Sequence, residues 1–150
     1  MTRVLSPCSG RVFGLSEVSD PVFAQEFVGP GVAIEPIPER MAVVAPVSGT
    51  IVKLHPHAFA MCSEAGHGVL VHLGIDTCHL NGVGFQLLAA EGDVVEAGHE
   101  VVSWNPAEIG GDGISTTVMV VALDRPAGSV TSPLLGGVCS SRDPLFDIDE

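Results

Sequence analysis

All six histidines of this chain fall between Leu54 and Asp124, a stretch without a single lysine or arginine. Imidazole is the side chain best suited to nucleophilic, proton-transfer and metal chemistry near neutral pH. Two segments concentrate it: His55-Pro56-His57-Ala58-Phe59, and Gly68-Val69-Leu70-Val71-His72-Leu73-Gly74-Ile75-Asp76-Thr77. Proline biases His55 toward an extended backbone, and an extended stretch points His55 and His57 to one side. The pair reads as a polar hairpin loop, a metal pair or a phosphoryl-handling pair. In the second segment strict alternation puts Leu70 and His72 on one face of a strand and Val69 and Val71 on the other. His72 therefore reads either as a satisfied, half-buried core histidine or as a reacting group. Asp76 is the only acid near it in sequence, suited to holding the loop or a ring nitrogen. His67, His79 and His99 lack a motif and read as surface residues. Cys62 and Cys78 read as small apolar residues, since no neighbouring base or cation activates them. Gly110-Gly111-Asp112-Gly113 lacks the Lys-Ser/Thr of a phosphate loop.

Charge and composition narrow the partners. Eighteen acidic residues against six basic ones give −12 over 150 residues, which opposes nucleic acid and anionic membrane surfaces. The longest aliphatic run, Val118 to Leu123, is far too short to insert into a membrane. Pro7 interrupts the N-terminus before an apolar stretch can form, so no signal peptide is expected and the chain reads as cytoplasmic. The four cysteines (Cys8, Cys62, Cys78, Cys139) then read as reduced thiols, and no Cys-x-x-Cys suggests a structural zinc.

Positioning these residues requires short strands. Gly and Pro make 29 residues, a turn density that argues against long helices. Leu5–Leu15 and Val44–Leu54 share the pattern apolar, small, Pro, x, Ser-Gly, x, apolar, x, x, Leu at an offset of 39. The pattern predicts one turn-and-strand unit used twice. Further strands are predicted at Gly31–Glu35, Met41–Val44, Phe59–Cys62, Val69–Leu73, Val101–Trp104 and Ser115–Leu123. Single helical turns are predicted after Asp20-Pro21 and over Asn105–Ile109. The expected fold is an all-β, barrel-like sandwich of duplicated hybrid type, with helix confined to single turns. One domain is expected over 1–150: a core at 4–123, an irregular loop at 124–142, and an edge strand with an acidic end at 143–150.

At Gly66–Thr77 and His57-Ala58-Phe59 the chain resembles the glucose-type enzyme IIA family of the bacterial phosphoenolpyruvate-dependent sugar phosphotransferase system. Asp20–Ala24, Gly29–Ile34, Ala45–Ile51, Leu80–Phe85 and Glu91–Gly98 follow in that family's order and spacing, so the resemblance runs from about Leu5 to about Leu123. Leu70 and Leu73 stand where the family commonly has aromatics, and His55-Pro56 replaces the more usual Thr-Asn.

The resemblance implies a phosphotransferase component. His72 accepts a phosphoryl group from phospho-HPr, and His57 stabilises its transfer to a cysteine of the IIB domain of a membrane permease of glucose or N-acetylglucosamine type. His55 and Asp76 are supporting residues. Val22, Phe27, Val28, Phe59, Leu70 and Leu73 form the expected partner surface. No cofactor is required; a regulatory zinc on His57 and His72 is allowed only where a partner completes it, since two histidines leave zinc underligated. Regulatory targets belong among the partners on the same terms. Two other functions compete. A biotinyl- or lipoyl-carrier module would need an attachment lysine at a hairpin tip, and the only lysine, Lys53, is predicted inside a strand. A zinc peptidase would use His55-x-His57 and His72-x-x-x-Asp76, but in the reverse of the usual order.

Overall fold

The structure, a computed structural model, describes residues 1–110 and 113–149; the glycine-rich stretch at 110–113 lies partly outside them, as does Glu150 of the acidic end. Its elements are β1 (Thr2–Leu5), β2 (Gly10–Gly14), α1 (Pro21–Ala24), β3 (Gly31–Pro36), β4 (Met41–Val44), β5 (Gly49–His55), β6 (Ala58–Ser63), β7 (Gly68–Ile75), β8 (Phe85–Leu87), β9 (Val94–Val95), β10 (Glu100–Trp104), β11 (Ser115–Ala122), β12 (Val138–Cys139) and β13 (Pro144–Ile148). Three-residue and four-residue 3-10 turns sit at Leu15–Glu17, Thr77–Leu80 and Pro106–Glu108. The all-β expectation holds, and the longest helix among the described residues is the four-residue α1.

Every strand pairing among the described residues is antiparallel. Eight strands form one sheet in the order β12-β2-β3-β11-β7-β6-β5-β9; β4-β10-β8 and β1-β13 form two smaller ones. Alternation sorts the large sheet into two faces. The inner face (Val12, Ile34, Ile51, Phe59, Met61, Val71, Val118) packs against Val43, Val102 and Trp104 of the three-stranded sheet and against Val4 and Leu145 of the two-stranded one. The outer face is covered over part of its area by the segment around α1, whose Leu15, Val18 and Phe23 bury Phe13, Ala33, Met119 and Val121.

The repeated unit is real in space. Both Ser-Gly pairs open a strand at the glycine, Gly10 of β2 and Gly49 of β5. The glycine is required by close approach: a Cβ on Gly10 would lie 2.1 Å from the Glu35 carbonyl oxygen, and one on Gly49 2.0 Å from that of Cys62. The two predicted helical turns also form, each capped as its sequence suggests. Asp20 Oδ1 accepts from the Val22 amide at 2.9 Å, and Asn105 Oδ1 from the Ala107 amide at 3.0 Å.

Some features depart from expectation. The core is not confined to 4–123: Leu145, Phe146 and Ile148 of β13 enter it, because β13 pairs β1 in a sheet of its own and turns its apolar side inward. Between residues 124 and 142 the regular strand is the two-residue β12, which pairs with β2. Cys78 is exposed on the turn Thr77–Leu80 and fills no apolar space, whereas Cys8 and Cys139 are the buried thiols. Burial pushes both of those thiols up and away from ionisation.

Candidate active site

β5, β6 and β7 run as two successive hairpins, and the first turn is Pro56-His57. Two-residue hairpin loops usually need a residue at positive φ. Neither Pro56 nor His57 has one, so the primed turn types are excluded here. The β5–β6 register shifts between Ile51 and Lys53, which accommodates the splay of an unprimed turn. The second turn, at 64–67, is closed by the Ser63 amide on the His67 carbonyl at 2.8 Å and the His67 amide on Ser63 Oγ at 3.0 Å. His67 is therefore no free surface residue; its Nδ1 also meets Thr2 Oγ1 at 2.7 Å.

The hairpin ladder places the candidate residues. Ala58 of β6 stands opposite His72 of β7, and the Leu73 amide donates to the His57 carbonyl at 2.7 Å, extending the ladder into the turn. The rings of His57 and His72 meet edge to face, with centroids 5.3 Å apart and planes at 72°. His55 lies on the far side of His57, its ring 5.8 Å away and inclined by only 24°. Phe23 of α1 closes the opposite side of His72 at 5.3 Å.

His72 is fixed in one tautomer by backbone. Its Nδ1 lies 2.6 Å from the Gly74 carbonyl oxygen. A carbonyl only accepts, so Nδ1 carries the proton and Nε2 carries the lone pair. Asp76, expected to hold a ring nitrogen or the loop, closes the turn through its backbone carbonyl, which accepts from the His79 amide at 3.2 Å, while its carboxylate makes no hydrogen bond to His72. It is exposed, at φ +60°, and leads into the turn Thr77–Leu80 without a side-chain cap. Its effect on His72 is electrostatic. Burial holds the His72 imidazole below its ordinary value, opposed by the Gly74 carbonyl bond and the carboxylates of Asp20 and Asp76. His57 is lowered as well, by burial first and then by its neighbours His72 and His55. Both rings are thus held toward the neutral form.

The partner-surface residues separate into two groups. Phe27 and Val22 are exposed, at 73% and 45%, and Val28 and Leu70 are half-buried around the α1 segment. Phe59 and Leu73 are not on the surface: strand alternation turns both to the inner face, where they are 1% and 0% exposed. Sequence reasoning did not single out Phe23, Asp20 or the Gly74 carbonyl. The Asp-Pro turn signal located the α1 segment, but only the tertiary fold lays Phe23 against His72.

The competing chemistries lack their parts. Among the described residues no group of three or more His, Cys, Asp or Glu side chains could hold a metal ion. His57 and His72 alone do not fit a resident zinc, and the peptidase ligand set does not assemble. Lys53 lies within β5, away from the Pro56-His57 tip where a carrier lysine would have to stand.

Comparison with known proteins identifies the family and the fold. Residues 2–127 match the family described as phosphoenolpyruvate-dependent sugar phosphotransferase system, EIIA 1. The chain is 43% identical over 121 residues to the PTS system glucose-specific EIICBA component of Streptococcus pneumoniae, covering 79% of this chain and 16% of that one. With the N-acetylglucosamine-specific EIICBA component of Escherichia coli it shares 35% over 152 residues, covering 99% and 23%. It thus spans about a sixth to a quarter of the length of these relatives. The structure superposes on glucose permease IIA from Mycoplasma capricolum with a TM-score of 0.84 at 31% identity, covering 96% of this chain and 93% of that one. On its sequence, its antiparallel fold and its matched residues, the chain belongs to the EIIA type-1 family of the phosphoenolpyruvate-dependent sugar phosphotransferase system.

Proposed function

We propose that this chain is a phosphocarrier of a glucose- or N-acetylglucosamine-type system. It takes a phosphoryl group from phospho-HPr onto Nε2 of His72 and hands it to a cysteine of a IIB domain. The observation that carries this reading is the Nδ1–Gly74 carbonyl bond at 2.6 Å, which leaves Nε2 as the free lone pair. In the first step a P–N bond to the donor histidine breaks as the P–Nε2 bond forms, and the electron pair stays on the donor nitrogen. In the second, the acceptor thiolate attacks phosphorus and the pair returns to Nε2. Such transfers depend on positioning and charge stabilisation.

His57, one ring away, hydrogen-bonds the transferring oxygens. With no Lys or Arg between Leu54 and Asp124, the donor supplies the cationic charge. Val22, Phe27, Val28 and Leu70 form the apolar docking rim, and exclusion of water there slows hydrolysis of the phosphohistidine. Partners of this kind imply a cytoplasmic site of action for residues 1–150 as one domain. Among the described residues no helix is long and apolar enough to cross a membrane.

Incubation with phosphoenolpyruvate, enzyme I and HPr is expected to yield one acid-labile, base-stable phosphoryl group. His72→Gln abolishes it. His57→Gln still charges but passes the group to the acceptor cysteine about a hundredfold more slowly. A label that survives in His72→Gln overturns the assignment of the acceptor, and wild-type rates in His57→Gln overturn the role of His57.

A further inference from the structure

The cross-strand register sets a third imidazole into the same row. His55 of β5 stands opposite Ala58 of β6, and Ala58 stands opposite His72 of β7. Two strand spacings put His55 and His72 about 10 Å apart across the sheet. The residue between them is an alanine, whose methyl group leaves the interval open. The His57 ring, delivered by the turn, occupies that interval: 5.8 Å from His55 on one side and 5.3 Å from His72 on the other. Its contact with His55 is near-parallel, at 24°, and its contact with His72 is edge-on, at 72°. Pro56 tethers His55 and His57 so that few backbone conformations can separate them.

We propose that His55 is a positioning residue: its ring face holds the His57 ring at the angle that presents a nitrogen to the phosphoryl group on His72. The inference rests on the phosphocarrier reading above. His55 itself is exposed and lies beyond His57, so it does not touch the phosphoryl group. What it supplies is a planar surface. Without it, His57 on a two-residue turn regains rotamers directed to solvent, and misplacement of a transfer group is costly in rate. The effect falls on the step that needs His57, passage to the acceptor thiolate, and spares acceptance by Nε2 of His72.

The test compares His55→Ala with His55→Phe, which keeps a flat ring and removes its nitrogens. His55→Ala is expected to charge at close to the wild-type rate and to pass the group about tenfold more slowly. In the same variant the His57 ring-proton resonances move toward those of a solvent-averaged imidazole. His55→Phe restores both the rate and the ring-current shift. Wild-type passage with unmoved His57 resonances in His55→Ala overturns the proposal. A His55→Phe variant as slow as His55→Ala overturns the stacking role, because the nitrogens would then be needed. Failure of the phosphocarrier reading is recognised separately, by wild-type protein that takes no label on His72; the resonance arm still decides whether His55 positions His57.

Discussion

At the scale of the residue, His72, the proposed phosphoryl acceptor, is a half-buried imidazole with one ring nitrogen held by backbone. Its neutral form is favoured because burial outweighs the Gly74 carbonyl and the Asp20 and Asp76 carboxylates. The unfolded chain returns the imidazole to its ordinary value near 6.5. Below that pH the unfolded state binds a proton that the folded state resists, so stability falls as pH falls. Above it the contribution is fully present. His57 shifts in the same direction and adds to the slope. Denaturation followed by fluorescence of Trp104, which is fully buried, is expected to show a loss of stability between pH 7.5 and 5.5. His72→Gln should make that loss smaller; an unchanged slope would mean that His72 is not held neutral. Acceptance of the phosphoryl group should likewise be level above the ordinary imidazole range and decline below it.

At the scale of the element, β7 carries both His72 and, two residues further on and one before its end, the residue that orients it. Gly74 has φ +89°, and a Cβ there would fall 2.4 Å from Thr77 Cγ2 and 2.5 Å from the Ser115 carbonyl oxygen. Its backbone cannot relax without turning the carbonyl that holds Nδ1. Gly74→Ala is expected to cost about 1–3 kcal/mol of stability and to reduce charging further than that loss explains, which equilibrium denaturation and a charging assay on the same sample would separate. Normal charging in a destabilised Gly74→Ala protein would show that the carbonyl bond is dispensable. Much at this scale was legible beforehand. Alternation in Val69–Leu73 fixes which face His72 takes, and the strands expected at Phe59–Cys62 and Val69–Leu73 form as β6 and β7. Alternation also holds the reason for the misplacement of Phe59 and Leu73: each shares its face with core residues rather than with His72. What sequence could not supply were contacts made at long range. β1 is a four-residue strand with no local partner, and β8, β9 and β12 are two or three residues long, too short for a period to show. Phe23 reaches His72 only because the α1 segment folds over the outer face.

At the scale of the whole molecule, the candidate site lies on the large sheet and the seam between β1 and β13 on another. Thr2 pairs with Ile148 across β1 and β13, which sets those Cα atoms about 5 Å apart. Thr2 also touches His67, and five further residues of strand, roughly 16 Å, separate His67 from His72. β1 and β13 therefore close the described fold on itself, as a ring would be closed, away from the candidate site. The position of a break in such a ring is arbitrary as far as folding is concerned, provided the new break falls where little structure crosses. The exposed segment at Ala127-Gly128 is such a place; opening it puts at stake the Gly128 amide bond to Glu26 Oε2 and the two bonds from the Ser129 amide and hydroxyl to the Pro126 carbonyl. A circular permutant that joins Ile148 to Thr2 through a short glycine linker and starts at Gly128 is expected to fold and to charge on His72 at close to the wild-type rate. A permutant that folds but does not charge would show that the ends communicate with the active rim. With β1 and β13 paired side by side, insertion of this fold into a loop of a host protein is expected to leave the candidate site facing outward.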